Sequence, residues 1–450
     1  MHVLYVHQNF PAQFGHVAAR LIRDHGLRCT FVSEREPGEE NGIEKIQYIT
    51  RGGATRHNSF YTRTFETAMA HAEGVYRALK ARPDIKPDLI VGHSGFGSTI
   101  LLPEILDCPI INFFEYFYRP HNSDMDFRPD TPVSEQKILR SRVRNAMILL
   151  DLQNCDAGYV PTKFQRSVFP ALYQNKIETI FDGVDTALFH RIDRPSRTFK
   201  NVTISPGTRI VTYCARGFEL MRGFDLFMKA AKIIYQRHPD VMFVVAGTDR
   251  VCYGGDTEQI GGAKHVRQWV LSQDEYDMSK FLFLGWIPPK DLVNMLSAGD
   301  VHIYLTVPFV LSWSMMNALA CGAVVIGSDT DPVREMIRHG DNGFLADFFD
   351  PEQIAERALE VLRDPPAFRR IRENAIDDIE KDYSLEAILP RMFDLYRNVM
   401  ARGRGSQFVE GGIDQPVEGT ASGGPGPEAR RSSGDDPIHQ GARAGGNPGI

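Results

Sequence analysis

The sequence predicts two doubly wound α/β domains in tandem, and three observations carry that expectation. Short apolar runs alternate with amphipathic helical segments, a polar proline-bearing stretch interrupts the alternation near its midpoint, and the alternation then starts again. The 450 residues suit two or three domains of roughly 100 to 200 residues, each with its own core. Charged residues at 24% and hydrophobic residues at 42% exclude a disordered or fibrous chain. With 51 Lys and Arg against 57 Asp and Glu, the net charge of −6 leaves no bulk positive charge to recruit nucleic acid.

In chain order, His2–Val6 reads as a strand, His7–Pro11 as a loop, and Phe14, Val17, Ala18, Leu21 and Ile22 as one face of a helix stopped by Gly26. A strand is expected at Arg28–Ser33, a helix at Phe60–Ala81, and strands at Leu89–Val91 and Ile110–Phe114. A helix at Ser134–Leu152 and a strand at Ile177–Phe181 complete the first half. Asp193–Gly207 is polar, holds two prolines and reads as a linker. The second series has strands at Ile210–Cys214, Val241–Ala246, Phe281–Leu284, Val301–Leu305 and Ala323–Ile326. Its helices are expected at Phe224–Arg237, Lys290–Ala298, Ser312–Cys321 and Pro351–Leu362. From Gly403 to the end, 13 Gly and 5 Pro in 48 residues predict a disordered tail.

Six scattered cysteines without a C-x-x-C pair suggest neither a zinc nor a redox motif, and reduced thiols in a cytoplasmic chain fit best. No run of 18 apolar residues occurs, and MHVLYVHQNF lacks the pattern of a secretory signal, so a chain that is neither secreted nor membrane-spanning is expected.

Open α/β sheets bind ligands beyond the carboxyl ends of their strands, which directs attention to the strand-to-helix loops. In CARGFELMRGFD, Arg216 and Arg222 surround a loop that opens a helix, a setting suited to phosphate oxygens. In HQNFPAQFGH, Gly15 opens the first helix beside Gln13 and His16. It either admits a ligand closely or relieves helix–sheet crowding, and the absence of G-x-G-x-x-G disfavours a dinucleotide site. Glu115 follows a buried strand among aromatics, where a salt-bridged carboxylate fits as well as a catalytic one. Asp182-Gly183 is a turn in which glycine can take a positive φ. In TVPFVLSWSMMNALACG, Ser312, Ser314 and Asn317 can meet a ligand, whereas Met315 and Met316 suit the core. Ile287 in FLGWIPP can offer backbone groups to a nucleobase, beside a Trp286 that can equally be a packing residue.

Taken together, residues 1 to about 400 resemble the family-four retaining glycosyltransferases, with the GT-B fold of two facing Rossmann-like domains. Arg216 and Arg222 stand at positions like the family's R-x5-K, with Arg for Lys, and FDGVDTALF resembles its N-G-V-D-x-x-x-F. HQNFPAQFGH, VGHSGFGS, FFEYFYR, PFVLSWSMMNALACG and FFDP look like a bacterial branch associated with exopolysaccharide synthesis. The family's E-x7-E is replaced by Phe309 and Asn317, and Glu115 stands where a histidine is usual.

The resemblance implies transfer of a sugar from a nucleotide-diphosphate-sugar donor to a hydroxyl of a glycan or lipid-linked acceptor, with retention, no metal and no cofactor. Arg216, Arg222 and Glu115 would act at the reacting centre, and Gly15, Ile287, Ser312 and Asn317 would hold the donor. It also implies an acceptor-side domain over 1–192, a linker over 193–207, a donor domain over 208–383, a helix returning to the first domain over 384–400 and a tail over 401–450. Two rival readings remain: a nucleotide-sugar-binding protein that transfers nothing, motivated by Asn317, and a sugar-nucleotide epimerase. Lys137, Arg140, Arg142 and Arg144 on one helical stretch suggest either peripheral membrane contact or a plain solvated basic face.

Overall fold

The computed structural model describes residues 1–97, 99–253 and 259–405. Two sheets organise them. The first has eight strands in the order Gly38–Glu40, Ile43–Gln47, Arg28–Ser33, His2–Val6, Leu89–His93, Ile110–Phe113, Ala157–Val160 and Ile177–Thr179. All neighbours pair in parallel except Gly38–Glu40, which runs antiparallel to Ile43–Gln47. The second has six parallel strands in the order Phe281–Gly285, Val241–Thr248, Arg209–Gly217, Val301–Tyr304, Val324–Ser328 and Phe344–Ala346. Helices lie between most successive parallel strands, and the central strands are buried end to end because both faces are covered.

Each sheet is doubly wound from its first strand. In the first, the chain builds outward to Ile43–Gln47 and then crosses to place Leu89–His93 on the other side of His2–Val6. In the second, the same reversal puts Val301–Tyr304 beside Arg209–Gly217. Ligand crevices form where strand order reverses. The loops after His2–Val6, Leu89–His93, Arg209–Gly217 and Val301–Tyr304 therefore border the candidate site.

Several expected elements differ in detail. The helical stretch at 134–152 is two helices, Glu135–Arg144 and Ala146–Asn154, separated at Asn145, whose side chain leaves the helical pattern to bond the Tyr118 backbone at both its N–H (2.9 Å) and its carbonyl (2.7 Å). The stretch read as a linker carries a two-stranded hairpin, Thr198–Phe199 with Val202–Thr203. It is fastened to the second sheet's helices through Ser196 N–H to Asn294 Oδ1 at 2.8 Å and Ile192 N–H to Ser297 Oγ at 3.1 Å.

The helix Leu385–Arg402 returns to the first sheet. Tyr396 is fully buried with its hydroxyl 3.4 Å from that of Tyr5, and Phe393 stacks on His25 at 4.6 Å. Gly183 adopts φ +88°, and a Cβ there would come within 2.7 Å of Leu385, so glycine is needed where the first domain's last turn meets this helix. Residues 406–450, which hold nearly all of the expected tail, lie outside the described residues.

Candidate active site

A cavity of about 1200 Å³ opens between the carboxyl ends of the two sheets. Of the residues singled out from sequence, Arg216, Arg222, Glu115 and Ser312 line it together, as do Gln13 and Ser314.

Arg222 is almost fully buried. Its guanidinium donates to Thr306 Oγ1 at 2.7 Å, Tyr304 OH at 3.4 Å and the Val310 carbonyl at 3.1 Å, and it lies 5.3 Å from the centre of the Tyr253 ring. Among the described residues this cation has only neutral acceptors and no ion-paired carboxylate, which leaves its charge available to an anion in the cavity. Arg216 follows on the exposed end of its strand and hydrogen-bonds Tyr253. Tyr253 is set between the two arginines by buried Glu219, whose Oε1 accepts from the backbone N–H of Cys252 (2.9 Å) and Tyr253 (2.8 Å). Ser312 caps the helix Trp313–Ala320: its Oγ accepts from Ser314 N–H at 3.3 Å, and its own N–H donates to Tyr304 OH at 2.9 Å.

Across the cleft, Glu115 stands just beyond Ile110–Phe113, and its backbone carbonyl accepts from Gln165 Nε2. Burial pushes its carboxyl upward, while the guanidinium groups of Arg222, Arg144 and Arg216 act against that rise. Asp182 lies on the same wall. Burial pushes it up to about 7, with the neighbouring Glu115 charge adding to the rise and the hydrogen bond from Trp313 Nε1 (2.8 Å) opposing it. Trp313 belongs to the second domain, so this bond closes one side of the cleft. His16 Nε2 donates to the Asp182 carbonyl at 2.8 Å and its ring meets the Trp313 ring edge-on at 5.8 Å. On the opposite side Arg128 is 5% exposed and grips Asp225 through two parallel bonds of 2.9 and 2.7 Å, with a third to the Leu220 carbonyl at 2.7 Å. The two clasps hold the domains together around the cavity.

Three expected binding residues take other places. Gly15 does not line the cavity: a Cβ there would come within 2.2 Å of Pro11 Cβ, so the glycine relieves crowding inside its own loop. The loop contributes His7, Gln8, Asn9, Ala12 and Gln13 to the wall, and the Gln13 Nε2 is buried without a partner among the described residues. Asn317 is 9% exposed within the helix after Ser312, outside the lining. Ile287 follows the edge strand Phe281–Gly285, two strands from Arg209–Gly217, and packs on the core; its neighbour Trp286 is 75% exposed rather than packed. Met315 and Met316 are core residues, as expected.

The basic stretch also divides. Lys137, Arg140 and Arg144, at helical spacing on one face of Glu135–Arg144, line the cavity; Arg142 does not. Sequence spacing contains this signal, since i, i+3 and i+7 share a helix face. Asp182 was read only as part of a turn, and Trp313 and Arg128 were not singled out, because their partners lie 131 and 97 residues away. Among the described residues, no group of three His, Cys, Asp or Glu side chains is placed to hold a metal ion, and no helix is long and apolar enough to cross a membrane.

Two family models match in series: "Glycosyl transferase family 4 group" over residues 25–189 and "Glycosyl transferases group 1" over residues 196–378. Among curated proteins, spore coat protein SA of Bacillus subtilis is 24% identical over 51% of this chain and 60% of its own length. The N-acetyl-alpha-D-glucosaminyl L-malate synthase of Bacillus anthracis is 22% identical over 50% of this chain and 54% of its own. The chain thus spans little more than half the length of these relatives. Among solved structures, sucrose-phosphate synthase from Thermosynechococcus elongatus superposes with a TM-score of 0.68 at 17% identity, covering 89% of this chain and 99% of that one. The Anabaena protein HepE, solved with UDP-glucose, gives 0.63 at 14% identity, covering 88% and 100%. These likenesses establish the two-domain GT-B fold.

Proposed function

The chain belongs to the family-four glycosyltransferases, and from that premise we propose that it moves a sugar from a nucleotide-diphosphate-sugar to a hydroxyl of a glycan or lipid-linked acceptor, with retention and without a metal, in the synthesis of exopolysaccharide or another cell-surface glycan. One observation carries the reading most. Arg216 and Arg222 are gathered around Tyr253 at the strand-reversal point of the second sheet, facing a half-buried carboxyl, Glu115, across the cleft.

In this reading the two guanidinium groups receive the diphosphate. As the bond to the sugar breaks, negative charge grows on the leaving oxygen, and cations already fixed in a partly dry site stabilise it without reorganising. Arg222 is fixed by its bonds to Thr306, Tyr304 and Val310, and the N-terminus of the helix capped by Ser312 adds its partial positive charge. Positive charge grows at the anomeric carbon at the same time. Glu115 offsets it or bonds a sugar hydroxyl. Asn317 and Ile287 lie outside the cavity wall that holds these arginines and Glu115.

The test is incubation with UDP-, GDP- and ADP-sugars, with and without glycan and lipid-linked acceptors. Release of nucleoside diphosphate that depends on acceptor, with an NMR-assigned product of unchanged anomeric configuration, is expected. Donor binding without turnover would favour a sugar-binding protein, and a rearranged free sugar an epimerase.

A further inference from the structure

The first-domain wall of the cavity carries cationic groups that the donor does not need. Arg140 and Arg144 project into the cleft from Glu135–Arg144, with Arg63, at the start of the helix Arg63–Lys80, behind them. Arg140 rests over the Phe60 ring at 4.6 Å and donates through Nη2 to Thr64 Oγ1 at 3.1 Å, while its Nε is buried without a partner. Arg144 stacks on Tyr118 at 3.7 Å. Among the described residues Arg63 bonds only the backbone carbonyls of Asn58 and Arg56. Among the described residues none of these three guanidinium groups is in a salt bridge. Burial and the charges of Arg144 and Arg63 pull the Arg140 guanidinium downward, the signature of positive charges crowded together without an anion. The carboxyls that act on Arg144 from the same wall, Glu115 and Asp124, are both pushed upward by burial, and Asp124 is committed to the Tyr116 hydroxyl at 3.1 Å.

Resting on the glycosyltransferase reading, we propose that Arg140 and Arg144 bind a phosphate group of the acceptor, and so select phosphorylated acceptors over neutral ones. A phosphate monoester carries a charge of about −1.5 to −2 near neutral pH, which answers clustered cations better than a single carboxylate does. Two forks of N–H donors match its oxygens. Arg144 is near enough to Glu115 to bear on its protonation, so a phosphate held there places the rest of the acceptor beside the reacting centre. The phosphate can belong to a soluble sugar phosphate or to a lipid headgroup.

The experiment uses the full chain saturated with nucleoside diphosphate, so that Arg216 and Arg222 are occupied. Glucose 6-phosphate is titrated against glucose, and vesicles of phosphatidylcholine containing phosphatidic acid against phosphatidylcholine alone. A phosphorylated probe is expected to bind more tightly than its neutral counterpart, and Arg144→Gln and Arg140→Lys are each expected to weaken it by about tenfold or more with nucleotide affinity unchanged. Preference for the sugar phosphate identifies a soluble acceptor, and preference for the vesicles a lipid-borne one. Equal binding of phosphorylated and neutral probes, or a preference untouched in both variants, overturns the proposal. Failure of the wild-type chain to bind any nucleoside diphosphate counts against the donor reading instead, and the same probe comparison on the nucleotide-free chain still decides this one.

Discussion

Asp182 shows how a commonplace turn residue acquires chemistry from its surroundings. Its folded-state value of about 7 lies above the ordinary 3.8, so the folded form holds the proton more tightly than the unfolded chain. The stabilisation that follows is complete below the unfolded value and is lost as pH rises through the folded one. Asp182→Asn keeps an oxygen for Trp313 but cannot ionise. Between about pH 5 and pH 8 the thermal midpoint of the wild type should therefore fall more than that of the variant; parallel profiles would show that Asp182 does not titrate in this window. Glu115 is the residue for which activity decides. With folding checked by circular dichroism, Glu115→Gln should lower kcat by roughly a hundredfold while leaving donor affinity in place, as expected of a group whose contribution appears in the transition state. An unchanged rate removes it from the reaction.

Elements were legible where their faces differ in polarity. Phe224–Arg237 forms as its apolar period predicts, and the central strands lie within a few residues of their expected bounds because they are buried on both faces. The edge strand Gly38–Glu40 and its neighbour Ile43–Gln47 were not expected, since GEE and IEKIQ are polar or half-exposed and are held mainly by backbone pairing. The break at Asn145 depends on bonds to Tyr118, 27 residues away, which local periodicity does not encode. The returning helix is the element whose packing has the widest reach. Tyr396→Ala should cost about 3 to 5 kcal/mol in chemical denaturation, because the side chain is fully buried against the first domain. A loss below about 1 kcal/mol would place that residue at a surface instead.

At the scale of the molecule, the sequence indicated the two arginines that line the cavity and the carboxyl opposite them, since each follows a predicted strand. It did not indicate what closes the cleft. Arg128 with Asp225 and Trp313 with Asp182 join residues from different domains, and such pairs exist only once both sheets are folded and facing. The direction of the cationic helix face was likewise settled by packing, which turned Lys137, Arg140 and Arg144 inward. A net charge of −6 is thus compatible with an anion-binding cleft, because a few placed guanidinium groups set the local field rather than the chain's total. The central claim is that Arg216 and Arg222 hold the donor's diphosphate. It is tested most directly by calorimetric titration of nucleoside diphosphates and the matching nucleosides into the wild type and Arg216→Ala, an exposed position where folding is not at stake. The account predicts that the variant loses roughly tenfold to a hundredfold in diphosphate affinity, with nucleoside affinity unchanged. Equal diphosphate affinity in the two proteins would contradict it.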